Sequence, residues 1–184
     1  MSFSNPNYKE LFRTMIINSD RKSEAERCSD IIIKNRSRYE FVEKSTKVPW
    51  YVVGIIHYLE SGFSFNKHLH NGDPLTSRTK NYPPNRPVNG NPPFTWEESA
   101  IDALNMKKRP SVWNIETTLE YLEKYNGLGY RKKGIYSPYL WSATNHYVKG
   151  KYVSDGRFNP DAVSKQIGGA AILLILIKRD IVKL

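Results

Sequence analysis

The sequence predicts a mainly helical α+β fold with one small β-hairpin insertion, and three observations carry that reading. Apolar residues recur at helical spacing through the first third of the 184-residue chain. Between residues 62 and 93 the texture changes to glycine, proline, asparagine and threonine, with polar and apolar residues loosely alternating. Helical texture then resumes at Thr95 and persists toward the C-terminus. The length suits one domain, residues 1–184, with a proper core. Its expected parts are an N-terminal helical region (1–47), a β/loop insertion (62–93) and a helical lobe (94–184).

Residues 19–44 read as mostly helical. Ser23 followed by Glu26 resembles a capping box, and Ile31, Ile32, Tyr39 and Val42 supply a loose apolar face. Residues 45–47 connect to an apolar helix over 48–63. Pro49 suits its first turn, where a missing N–H costs nothing, and Gly62 suits its stop, where positive φ is common. In the insertion, Asn71-Gly72-Asp73-Pro74 is a turn signal, and the proline clusters at 82–87 and 89–93 exclude helix interior. Short strands and a long loop are expected there. Thr95 with Glu97 and Glu98 opens the next helix, whose apolar face is Ala100, Ile101 and Leu104. Another helix opens at Asn114 and ends near Asn126-Gly127. An aromatic loop spans 128–158, and a final helix is expected from Asn159-Pro160 to about Lys183.

Hydrophobic residues make up 39% of the chain and aromatics 12%, which excludes a disordered chain. The net charge of +10 draws the protein toward polyanions, namely nucleic acid, an anionic membrane surface or an anionic cell wall. A single cysteine, Cys28, cannot form an internal disulfide and suits a reducing compartment. Residues 1–9 lack the apolar core of a secretory signal. The apolar run at 167–177 is shorter than the roughly 20 residues a spanning helix needs, so a buried core helix is expected. A basic membrane-active tail is the alternative, because Lys178, Arg179 and Lys183 follow the run.

Glu60 is the only acid in the apolar helix, and it stands at the negative end of that helix's dipole. Apolar neighbours also raise a carboxyl by desolvation, and a carboxyl protonated near neutral pH can serve as general acid in glycoside hydrolysis. A hairpin in the insertion would return Asp73 to its vicinity, completing a pair of carboxylates around a groove. His68-Leu69-His70 places two imidazoles on one side of an extended segment, and with Asp73 could hold a metal ion. The aromatic loop, with Tyr139 and Trp141, suits stacking against sugar rings or nucleic-acid bases.

A helix ending in Glu60, a hairpin carrying Asp73 and Thr79, and a helical lobe together resemble the lysozyme superfamily. Asp73 and Thr79 keep the six-residue separation found in phage T-even-type lysozymes, with Thr76 competing for the Thr79 role. Glu60-Ser61 is similar to the Glu-Ser pair of goose-type lysozymes and lytic transglycosylases, and Tyr125-Asn126 to their later Tyr-Asn motif. The Gly-Leu-Met-Gln-type motif of that branch is missing. The resemblance spans residues 48–127 and implies a lysozyme-like fold and an endolysin-like muramidase, splitting the β-1,4 bond between N-acetylmuramic acid and N-acetylglucosamine. It implies Glu60 as acid, Asp73 as water-positioning or charge-stabilising group and Thr79 as water-orienting group. The expected substrate-binding set is His57, Ser61, His70, Thr76, Tyr125, Asn126, Tyr139 and Trp141.

This reading needs no metal and no cofactor. Its partner is bacterial peptidoglycan, with an anionic membrane surface as a further partner through the basic C-terminus, no specific nucleic acid, and a monomeric state. The chain is expected to be made in the cytoplasm without a signal peptide and to act at the wall after phage- or effector-type release. The alternatives are a metal-dependent peptidoglycan amidase or peptidase, and a non-catalytic basic module binding glycan or nucleic acid.

Overall fold

The structure, a computed structural model, describes residues 6–154 and 156–184. Residues 1–5 of the segment read for a secretory signal lie outside the described residues. The fold is α+β and dominated by helices, with one small antiparallel β-hairpin. The chain divides into two compact units, one formed by residues 1–30 and 110–184 and the other by 31–109.

The unit of residues 31–109 is built on α3 (Arg36–Thr46), α4 (Trp50–Ser61) and α5 (Trp96–Asn105), with α3 packed on both others. Pro49 stands at the N-cap of α4, and Gly62 closes it at φ +59°, where its N–H reaches the carbonyls of His57 and Tyr58. A side chain at Gly54 would place its Cβ 2.7 Å from Ile32 Cγ2, so the bare glycine permits close packing there. Thr95 caps α5 as expected and forms a full capping box with Glu98. Tyr39, Ile55, Ile56, Trp96 and Leu104 fill the core.

The other unit carries α1 (Tyr8–Thr14), α6 (Ile115–Asn126), α7 (Pro138–Trp141) and α8 (Gly169–Lys178), with α6 packed against the other three. α2 (Lys22–Lys34), preceded by a 3-10 turn at Ser19–Arg21, has residues 22–30 in one unit and 31–34 in the other. Ser23 is the second residue of α2, not its N-cap, so the capping box expected with Glu26 is not formed there.

The hairpin lies outside the segment where the sequence placed it. β1 (Lys151–Ser154) pairs with β2 (Arg157–Asn159) in the register Lys151↔Asn159, Tyr152↔Phe158 and Ser154↔Arg157, within the stretch read as an aromatic loop. Residues 62–93 hold only an isolated Lys67↔Pro74 bridge and otherwise run as turns and bends. Prolines remove ladder donors there, and side chains take over the backbone hydrogen bonds. The final helix also begins later than expected, at Gly169. A Cβ at Gly168 would sit 2.2 Å from the Leu140 carbonyl oxygen, so the chain must cross that backbone before it can coil. Once formed, α8 buries nearly all of its apolar residues. No helix among the described residues is long and apolar enough to cross a membrane.

Candidate active site

Glu60 ends up half-buried on the last turn of α4, and no hydrogen bond or ion pair reaches its carboxyl from the described residues. Burial pushes its carboxyl up to about 7 from the usual 4.5, against a weaker opposing pull from the Lys107 ammonium. The neighbouring loop tip lies close to this turn, since a Cβ at Gly72 would lie 3.8 Å from the Glu60 carbonyl oxygen.

Asp73, next along that loop, is the hub of its own turn. Its Oδ2 accepts from the backbone N–H groups of Lys80 (2.8 Å) and Asn81 (2.9 Å) and from Asn71 Nδ2 (3.1 Å), and its Oδ1 accepts from Asn81 Nδ2 (2.6 Å). Desolvation raises this carboxyl, but those four donors outweigh it and hold the group below the usual carboxylate range. Asp73 is therefore a carboxylate with both oxygens accepting hydrogen bonds, three on Oδ2 and one on Oδ1.

Thr79, expected to orient a water, is only 2% exposed. Its Oγ1 donates to the Pro83 carbonyl (2.6 Å) and accepts from the Arg86 N–H (2.9 Å), so the hydroxyl stitches the proline loop together. Thr76 is exposed. Ser61 Oγ donates back to the His57 carbonyl at 3.1 Å and finishes the helix.

His57, expected in the substrate-binding set, points instead into the core, at 0% exposure. Its Nδ1 lies 3.0 Å from the Tyr39 hydroxyl, and the ring packs on Phe65 and Trp96 with centroids 4.5 and 4.4 Å away. Burial lowers it to about 4, which keeps the ring neutral. His70 is also turned inward, its Nε2 2.7 Å from Asp102 Oδ2. All four ring nitrogens of His68 and His70 already face protein partners, namely Ser99 for both Nδ1 atoms, and the Ser77 carbonyl and Asp102 for the Nε2 atoms. The metal reading of this pair therefore finds no ring nitrogen open to an ion.

The remaining expected residues belong to the other unit. Trp141 is 1% exposed and is a core side chain, not a stacking platform. Tyr125 is half-buried. Asn126 Nδ2 donates to the Leu122 carbonyl at 3.1 Å. Asn126 and Tyr139 line a groove of about 340 Å³ together with Tyr130, Tyr152, Gly127 and Gly129. Tyr130 organises this wall: its hydroxyl accepts from the Tyr152 N–H at 3.0 Å, and its ring meets those of Tyr139 and Tyr152 edge-on. Tyr152 was not singled out in the sequence; its place in a strand beside an Asp-Gly turn signal is what could have found it.

No family model, curated protein or solved structure matches the chain.

Proposed function

We propose that the protein is a peptidoglycan-cleaving glycosidase of lysozyme-like fold, with Glu60 as general acid. One observation carries the reading: a half-buried carboxyl on the end turn of an apolar helix, without a hydrogen-bond partner among the described residues, lifted by burial to about 7. Such a group holds a proton at neutral pH and can give it to a departing glycosidic oxygen. As the C1–O bond breaks, the sugar becomes an oxocarbenium-like cation. Water then adds at C1, and its proton returns to Glu60.

Of the two parts the resemblance implies for Asp73, stabilising charge is the one its hydrogen bonds fit. With both oxygens accepting hydrogen bonds, it contributes fixed negative charge and loop shape, and it does not abstract a proton from water. A mechanism resting on one acid follows, and it fits transglycosylation as well as hydrolysis. The aromatic, polar groove of the other unit has the size of a small-molecule site and suits holding a glycan through stacking on Tyr139 and Tyr152. That groove also favours a second reading, a glycan-binding module without catalysis.

Turbidity of permeabilised bacteria separates the two. Clearing by the wild-type chain and none by Glu60→Gln supports the glycosidase; equal behaviour of both chains overturns it. Mass spectrometry of digested peptidoglycan then names the outcome. Reducing-end muramic acid means hydrolysis, an anhydro sugar means transglycosylation, and a glucosamine reducing end would reassign the bond cleaved.

A further inference from the structure

Beside the Glu60 turn lies a hydrogen-bonded chain of largely buried side chains that the proposed chemistry does not itself use. Ser99 and Asp102 lie three residues apart on one face of α5 and receive His68 and His70 from the preceding loop. His68 Nε2 lies 2.8 Å from the Ser77 carbonyl, which can only accept, so that nitrogen carries the hydrogen. Its Nδ1 is then an acceptor, and Ser99 Oγ donates to it at 2.9 Å while accepting the Leu69 N–H at 3.1 Å. His70 Nε2 likewise donates to Asp102 Oδ2 at 2.7 Å, which leaves its Nδ1 turned to Ser99 Oγ at 3.4 Å. The same Asp102 oxygen accepts Arg86 Nε at 2.8 Å, fastening the proline loop to the same point.

Ser99 is 0% exposed and the His70 side chain 1% exposed, so neither can reach a substrate. Their reach is through the backbone. The His68 N–H donates to the Asp73 carbonyl at 2.7 Å and the Gly72 N–H to the His68 carbonyl at 2.9 Å. Gly72 lies beside the Glu60 carbonyl, since a Cβ added there would come 3.8 Å from its oxygen. Hydrogen bonds thus run from α5, through the two imidazoles, to a turn that lies next to the one carrying the acid.

We propose that His70 and Asp102 are positioning residues that seat the Gly72–Asp73 turn against the Glu60 end of α4. The role rests on the reading of Glu60 as the acid. Its energetic logic is that the two groups share one short, largely buried hydrogen bond, and losing Asp102 leaves the buried His70 Nε2–H without its acceptor. A turn displaced by about 1 Å misplaces the groups around the acid, which costs on the order of a hundredfold in rate.

The test uses the full chain and purified, uncrosslinked peptidoglycan glycan strands. His70→Ala is expected to lower kcat at least about thirtyfold with KM within about twofold, since chemistry and not binding is disturbed. His70→Gln, whose Nε2 can still donate to Asp102, should recover most of that loss. Amide exchange at Gly72 and Asp73 should quicken about tenfold or more in His70→Ala while α8 in the other unit stays as protected as in wild type. Asp102→Ala, which removes the acceptor of His70 Nε2, supplies the same comparison should His70→Ala fail to fold. Unchanged exchange at Gly72 and Asp73 overturns the proposal, as does a Gln variant no better than Ala or a loss carried wholly by KM. Absence of strand cleavage by the wild-type chain would sink the Glu60 reading separately, because the exchange measurement decides the seating of the turn without any turnover.

Discussion

Glu60 and His57 stand one turn apart on α4, and burial penalises the charged form of each, with opposite consequences for pH. Glu60 rises from 4.5 to about 7, so the folded chain holds an extra proton between those values, and this stability is lost as pH rises through 7. His57 falls from 6.5 to about 4, so its contribution is present above 6.5 and lost as pH falls through 4. The two slopes oppose each other between pH 5 and 6.5, and together they flatten the wild-type profile there. Glu60→Gln removes one slope only. It should therefore be more stable than wild type at pH 8, by on the order of 2 kcal/mol given about 1.4 kcal/mol per pH unit and partial exposure, and nearly level at pH 4.5. Urea denaturation at the two pH values checks this, and an equal offset at both would contradict the burial of Glu60. The same titration predicts that wall cleavage declines above pH 7, where the acid loses its proton.

The residues around Asp73 permit a second test at this scale. Asp73→Asn would aim an amide N–H₂ either at the backbone donors of Lys80 and Asn81 or at the Asn81 side-chain amide, leaving a donor without its acceptor in each case. A cost of about 1–3 kcal/mol is expected, with faster amide exchange at Lys80 and Asn81. If cleavage falls no further than this loosening explains, Asp73 shapes the loop; retained exchange with lost cleavage would give it a direct chemical role.

At the scale of elements, what could be read in the sequence was local. Pro49 and Gly62 bracket α4, Thr95 and Glu98 cap α5, and Asn114 caps α6, because caps and stops act within four residues of themselves. The imidazole relay was not legible. Ser99 and Asp102 lie some 30 residues beyond the histidines they bind, and Ser and Asp on a helix face read equally well as surface. The hairpin was legible and overlooked, since Asp155-Gly156 between Tyr152-Val153-Ser154 and Arg157-Phe158 is the two-residue turn signal in its strongest form. The late start of α8 was not, because the sequence cannot say that Leu140 will occupy the space beside Gly168. Both glycines at close approaches yield predictions. Gly168→Ala, facing backbone at 2.2 Å, should destabilise by about 3 kcal/mol or more, whereas Gly54→Ala, facing the Ile32 side chain at 2.7 Å, should cost about 1–3 kcal/mol. Thermal unfolding of the two variants gives the order, and a reversed order would mean that the Leu140 backbone yields more easily than a packed isoleucine.

For the molecule as a whole, the proposed function gives ten net positive charges and the tyrosine-lined groove two different ways to hold a cell wall, and each can be tested. Charge acts at range and is screened over about 10 Å at 0.1 M salt, while stacking against a sugar ring needs contact and is nearly indifferent to salt. Glu60→Gln, which should bind without cutting, separates them. Its retention on intact walls should fall steeply between 50 and 300 mM sodium chloride, and walls stripped of their anionic polymers should show a much weaker salt dependence. Retention on chitin, a neutral polymer of the same sugar, should change little over that range and should drop about tenfold or more when Tyr139 is replaced by Ala. Chitin binding that vanishes with salt would assign retention to charge alone and leave the groove without a sugar. Salt-resistant chitin binding lost on Tyr139→Ala would mean that charge gathers the protein at the wall and the groove then holds the strand.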